Sequence, residues 1–220
     1  MGNKAYLING GRVTVDGAHG GLFATWFGEN AYLNGALGGG FNYFDTRRAS
    51  VGGDAVGSTD GYELDALLGG GYDFKCDRLT LGPVVSLQYT YVNIAAFTET
   101  SSLAPLHIEN NDNNSLHSVA GGRVAYDFPV HATVIRPELQ LGWGHEFLDT
   151  DHTIDSQFAT GAGSIFSVHS PTVGRDYLAV GASVTVQWSD RLVTYISYSG
   201  DLAGQNTSVH TFNVGLGLSL

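Results

Sequence analysis

A chain of 220 residues is long enough for one large all-β domain or two small ones, and its formal net charge of −11 excludes a nucleic-acid partner, since no basic stripe is there to neutralise phosphates. Charged residues make up only 14% of the chain, against roughly 25% in soluble domains, and with 31 Gly but 5 Pro it is not a Pro-rich disordered chain. The single Cys76 excludes an internal disulfide framework and a multi-cysteine metal site.

Residues 1–11 open with one lysine and an apolar run that ends at Ile8, so no secretory signal peptide is visible. They are expected to be the remnant of a preceding loop or strand, with the alternative that Lys4 to Ile8 forms a tenth strand and a small barrel closes. From there to the C-terminus the chain reads as strands, predicted at 12–27, 31–44, 61–74, 79–96, 115–128, 132–148, 175–188, 191–200 and 206–220. Nowhere does it hold the roughly 18 consecutive apolar residues of a spanning helix, but barrel strands cross a membrane with about ten alternating residues each.

The alternation is regular. In 80–92, Leu81, Val85, Leu87, Tyr89 and Tyr91 oppose Thr80, Gly82, Ser86, Gln88 and Thr90. In 138–147, Leu139, Leu141, Trp143 and Phe147 oppose Glu138, Gln140, Gly142, Gly144 and Glu146. Residues 181–188 repeat the pattern, and Phe212, Val214, Leu216, Leu218 and Leu220 close the chain on one face. The second face is built of Gly, Ser, Thr, Gln and Glu, where a soluble sandwich would carry Lys, Glu and Asp. A small polar face suits a crowded, wet lumen and the apolar face suits lipid.

The links alternate too. Gly28-Glu29-Asn30, Lys75-Cys76-Asp77, Phe128-Pro129-Val130 and Ser189-Asp190 are short, those around 45–60, 97–114 and 149–174 are long and polar, and 201–205 is intermediate. Membrane barrels have this asymmetry, with tight turns on one rim and longer loops on the other. Tyr62, Tyr72, Phe74, Tyr126, Phe128 and Trp188 stand near strand ends, as interfacial girdles require.

Three segments resemble the autotransporter β-domain of type V secretion. Arg136-Pro137-Glu138-Leu139 running into Gly142-Trp143-Gly144-His145-Glu146-Phe147-Leu148-Asp149 is one, Gly174-Arg175-Asp176 with the strand ending Val186-Gln187-Trp188 is the second, and residues 31–48 ending Tyr43-Phe44-Asp45-Thr46-Arg47-Arg48 are the third. The resemblance covers most of 12–220. It implies an antiparallel transmembrane up-and-down β-barrel that supports secretion of an N-terminal passenger absent here. The implied partners are outer-membrane lipid and lipopolysaccharide, the barrel assembly machinery and the covalent passenger, and the implied location is the outer membrane. The family barrel has twelve strands, of which about nine or ten are read here, so an N-terminal truncation is expected. The last eight residues are similar to the C-terminal β-signal that the assembly machinery reads by strand pairing, with Asn213, Gly215, Leu218 and Leu220 at its marked positions. The family usually ends in an aromatic residue, whereas this chain ends in Leu220.

Catalytic motifs are missing from the sequence. There is no G-x-S-x-G elbow and no H-E-x-x-H, and His145 and Glu146, adjacent on a strand, point to opposite faces. Asp149, Asp151 and Asp155 read as a solvated acidic loop rather than a calcium site. The sequence therefore predicts neither an enzyme nor a cofactor. Glu63, Asp65, Arg123, Glu138, Glu146 and Arg175 are the candidate lumen-facing charges, paired across the barrel and shielded from lipid. The alternatives are a small stand-alone outer-membrane porin or adhesin-like barrel, and a soluble β-barrel or sandwich binding domain.

Overall fold

The computed structural model describes residues 3–6, 11–151, 153–161, 163–205 and 207–218. All its regular structure is strand: β1 Asn3–Tyr6, β2 Arg12–Phe27, β3 Ala31–Ser50, β4 Gly53–Tyr72, β5 Phe74–Cys76, β6 Leu79–Ile94, β7 Phe97–Thr98 and β8 Leu106–Ile108 in the first half. The second half adds β9 Asn111–Tyr126, β10 Phe128–Val130, β11 Thr133–Glu146, β12 Thr153–Phe158, β13 Phe166–His169, β14 Asp176–Gln187, β15 Leu192–Gly204 and β16 Thr207–Leu218.

The main sheet runs β1-β2-β3-β4-β6-β9-β11-β14-β15-β16, every neighbour antiparallel, with β5 and β10 extending β6 and β11 pairings at the short turns. Each strand lies beside the one before it, the order of an up-and-down meander. Asn3–Tyr6 supplies the tenth strand of the path, pairing with Arg12–Val15 of β2. Among the described residues no pairing joins β1 to β16, so the sheet is an open, curled part of a barrel.

Register fixes two faces. Leu33, Leu37 and Phe41 of β3 stand opposite Gly70, Ala66 and Tyr62 of β4, and the same side continues through Leu87 and Val85 of β6, Val124 of β9, Leu139, Leu141 and Trp143 of β11, and Phe212, Val214 and Leu216 of β16. This side is open to its surroundings, with Leu37 67%, Phe41 77% and Val214 80% exposed. The only buried apolar side chains among the described residues are Ala55, Val84 and Ala125, so there is no apolar core. A sheet of this size in water would leave that area uncovered at roughly 25 cal/mol per Å², which hydrocarbon removes.

The opposite face is concave. Contacts that skip a strand lie there: His19 of β2 meets Glu63 of β4 across Gly40 of β3, and Arg123 of β9 reaches the Tyr32 ring of β3, 4.6 Å from its centroid. Glycine makes the approach possible. Tyr177 of β14 lies over Gly144 of β11 and Tyr195 of β15 over Gly215 of β16, so that a Cβ at either glycine would fall inside the ring.

All three long links depart from expectation. Residues 45–60 are not a long loop, because β3 and β4 continue as a hairpin to a two-residue turn at Val51-Gly52, with Gly52 at φ 77°, a left-handed conformation that glycine adopts without strain. This extension lies beyond the lipid-facing belt, so its sequence has no apolar alternation to betray a strand. The other two long links are ordered against it. β13, β12, β8 and β7 form a second, four-stranded sheet, tied to β4 by a bridge between Val56 and Thr100. Its anchor is Glu99, 5% exposed, which accepts bonds from Arg48 Nη2 at 2.6 Å, Arg48 Nε at 3.1 Å and the Leu106 amide at 3.0 Å. At the same rim the Asn93 amide and then the Tyr91 hydroxyl donate to Asp112 and hold its carboxyl below the usual carboxylate range.

Two outcomes follow from this packing. Gly144→Val, which drives a side chain into the Tyr177 ring, is expected to cost about 1–3 kcal/mol and to lower the temperature at which the folded band is lost on a heat-modifiability gel, while Gly217→Ala, whose Cβ meets nothing within 4 Å, leaves it unchanged. Arg48→Ala leaves Glu99 buried without its cation, and limited proteolysis should then cut within 95–108 while the main sheet stays intact.

Candidate functional site

The concave wall carries its charges in three tiers. Nearest the short turns, Arg123 grips Asp73 at the end of β4, with Nη2 2.6 Å from Oδ1 and 2.7 Å from Oδ2 and Nε 3.2 Å from Oδ1. Glu138 stands 3.7 Å away on β11, and the guanidinium lies over Tyr32. Arg123 and Asp73 side chains keep only 18% and 15% of their exposure. The room comes from Gly82, the register partner of Arg123, and from Gly71, whose missing Cβ admits the Tyr32 hydroxyl. An arginine held over an aromatic ring and by a bidentate carboxylate is a fixed cation on the wall.

In the middle tier Glu63 meets His19 and accepts from the Asn42 amide at 3.4 Å, while Asp65 accepts from the Thr90 hydroxyl at 2.8 Å. In the upper tier the Glu146 carboxylate takes three donors, the Ser115 hydroxyl, the Leu116 amide at 2.8 Å and the Leu148 amide at 2.9 Å. Around it His117, Tyr177 and Asp201 line a cavity of about 340 Å³ that spans β6 to β16. Arg175 stands apart: it is exposed at the long-link rim, donating from Nη1 to the Glu146 carbonyl at 3.0 Å, at the mouth rather than on the wall.

The structure thus brings Arg123 and Glu138 together, places Glu63 and Asp65 two residues apart on one strand face, and puts Glu146 in a separate tier. Sequence reasoning missed Asp73, because it sits at a turn where alternation stops. It missed Tyr32, His117 and Tyr177 because only acidic and arginine side chains were taken as lumen candidates. Their parity was the available signal: all three fall on the Gly, Ser and Thr side of their strands. Of the candidate β-signal, Asn213 and Gly215 face the concave side opposite Ser197 and Tyr195, Leu218 faces outward at 68% exposure, and Leu220 lies outside the described residues. Asp149 accepts from the Asn114 amide and Asp155 from the Ser167 hydroxyl, so each serves a different strand.

The autotransporter β-domain family model matches residues 6–199. The chain belongs to the autotransporter β-domain family. Its members are secretion barrels of the outer membrane rather than catalytic domains. The translocator domain of the autotransporter NalP from Neisseria meningitidis superposes with a TM-score of 0.69 over 94% of this chain and 68% of that one, at 18% identity, which makes the fold the same. Two extracellular serine proteases of Serratia marcescens are each 26% identical over 146 residues, 66% of this chain. The aligned part is only 14% of the length of those relatives.

Removing the fixed cation tests the wall directly. Arg123→Met leaves Asp73 and Glu138 facing one another without compensation and is expected to cost about 3–5 kcal/mol in denaturant unfolding from detergent, whereas Arg175→Ala costs under about 0.5 kcal/mol.

Proposed function

We propose that this chain is the membrane-embedded translocator of an autotransporter, supporting passage of an N-terminal passenger across the outer membrane. The observation that supports it best is the sorting of side chains by register: apolar residues on the convex face of a curled meander, and small polar residues with tethered charges on the concave face. In this reading the convex face meets lipid and lipopolysaccharide, Glu63, Asp65, Arg123, Glu138 and Glu146 line the hydrated passage, and Arg175 stands at its outer mouth. Their role is to hold charge in place, so that a passing chain meets a wall already satisfied by its own partners. The barrel assembly machinery reads the terminal strand through Asn213, Gly215, Leu218 and Leu220. Catalysis, where an autotransporter has it, belongs to the passenger, as the serine protease name of the Serratia relatives fits.

The test is a fusion. A reporter peptide with an export signal is placed upstream of this chain in a Gram-negative host, and surface exposure is scored by antibody on intact cells. Surface reporter is expected, with loss of most of it when Leu218 and Leu220 are both changed to Asp. A chain that inserts, conducts ions in a planar bilayer and never displays the reporter would favour the stand-alone porin instead.

A further inference from the structure

On the convex face, just above the apolar belt, two arginines stand opposite each other: Arg12 of β2 is the register partner of Arg47 of β3. Like charges directly opposed across an antiparallel pair destabilise it unless something of opposite charge lies between them. Arg12 is exposed and has no ion-pair partner among the described residues. Arg47 has one carboxylate neighbour, Asp54, at 3.6 Å from Nε, which leaves its two terminal nitrogens open. The pair lines a cavity of about 460 Å³ together with Thr14 and Ser58, with Thr98 and Thr100, whose hydroxyls meet His107 and the Val56 carbonyl, and with a single carboxylate, Asp45.

Depth narrows the ligand. Tyr43, 44% exposed, is the last apolar side chain of the outward series on β3, and Arg47 follows it by four residues. At about 3.4 Å per residue and a tilt of roughly 40°, that lifts Arg47 about 10 Å above the aromatic ring. This is the level of headgroups over a hydrocarbon band about 25 Å tall. A planar guanidinium pair with free terminal N–H groups fits phosphate oxygens two at a time.

We propose that Arg12 and Arg47 form a clamp for the phosphate of an outer-leaflet glycolipid headgroup of the lipid A class. The clamp rests on the membrane-barrel reading of the chain and names one lipid contact that this reading leaves unspecified. Bound phosphate neutralises the opposed guanidiniums and ties the β2–β3 pair to the outer leaflet.

The experiment uses the full chain refolded in detergent micelles, with bound lipid counted by native mass spectrometry. The probes are diphosphorylated lipid A, the same lipid with both phosphates removed, and inorganic phosphate. Diphosphorylated lipid A is expected to bind the unsubstituted protein, with affinity reduced about tenfold or more in the Arg12→Gln/Arg47→Gln variant and largely kept in Arg12→Lys/Arg47→Lys. Equal binding by the Gln variant, or by the dephosphorylated lipid, overturns the clamp. Equal occupancy by inorganic phosphate overturns the headgroup as its source. Heat-modifiable migration is scored on every variant, so that a misfolded Gln variant is recognised and the single Arg12→Gln and Arg47→Gln changes replace it. A chain that needs neither detergent nor lipid to fold defeats the barrel reading itself, which is a different result from a folded barrel that ignores phosphate.

Discussion

A backbone inside hydrocarbon has no water to bond with, so each of its N–H and C=O groups needs a partner in the protein. Here that partner is the neighbouring strand, in a long antiparallel ladder: β3 and β4 pair residue for residue from Ala31–Tyr72 to Ser50–Gly53, and β6 and β9 from Leu79–Tyr126 to Ile94–Asn111. Once the ladder is set, everything else about the chain is set with it. A shift by one residue would move Leu139, Leu141 and Trp143 into the passage and Glu138 and Gln140 into lipid. The cost of that shift is what holds the register, and the register is what places Arg123 beside Glu138 and over Tyr32.

The same wall reverses its polarity above the membrane. Phe97 packs over Gly57 on the concave side of the β3–β4 hairpin, and its register partner Ile108 continues that side into Ser156, Ile154 and Val168. On the outward side stand Thr98 with His107, Thr153 with His169, and Asp155 with Ser167, each pair joined by a hydrogen bond. Below the rim apolar side chains point out and polar ones in; above it the arrangement is inverted, because water has replaced lipid on the outside. Glu99 and Arg48 sit at the crossing, where the buried Glu99 carboxylate, held by a half-exposed arginine, fastens the water-facing sheet to the hairpin.

Sequence alone carried the spanning part well, since lipid imposes a strict period of two. The predicted 12–27 coincides with β2, and the faces assigned in 80–92, 138–147 and 181–188 are those of the structure. What escaped is the part outside lipid. Residues 45–60 are mostly Asp, Thr, Arg, Ser and Gly, with Ala49, Val51, Ala55 and Val56 scattered at no sustained period of two, so only pairing across the hairpin shows them as strands. The long links hid β7, β8, β12 and β13 for the same reason. Asp73 was invisible as the partner of Arg123 because the two are 50 residues apart and meet only when the sheet curls. Asn3–Tyr6 was legible only as an alternative, since four residues give too short a pattern to choose strand over loop.

The central claim is that the register-defined convex face is in lipid. Spin labels placed one at a time along 138–144 in reconstituted bilayers, on a Cys76→Ser background, test it most directly. Collision with oxygen, which concentrates in hydrocarbon, is expected to peak at 139, 141 and 143, and collision with a water-soluble nickel chelate at 138, 140, 142 and 144. Profiles without a period of two, or with the two peaks exchanged, would contradict the account.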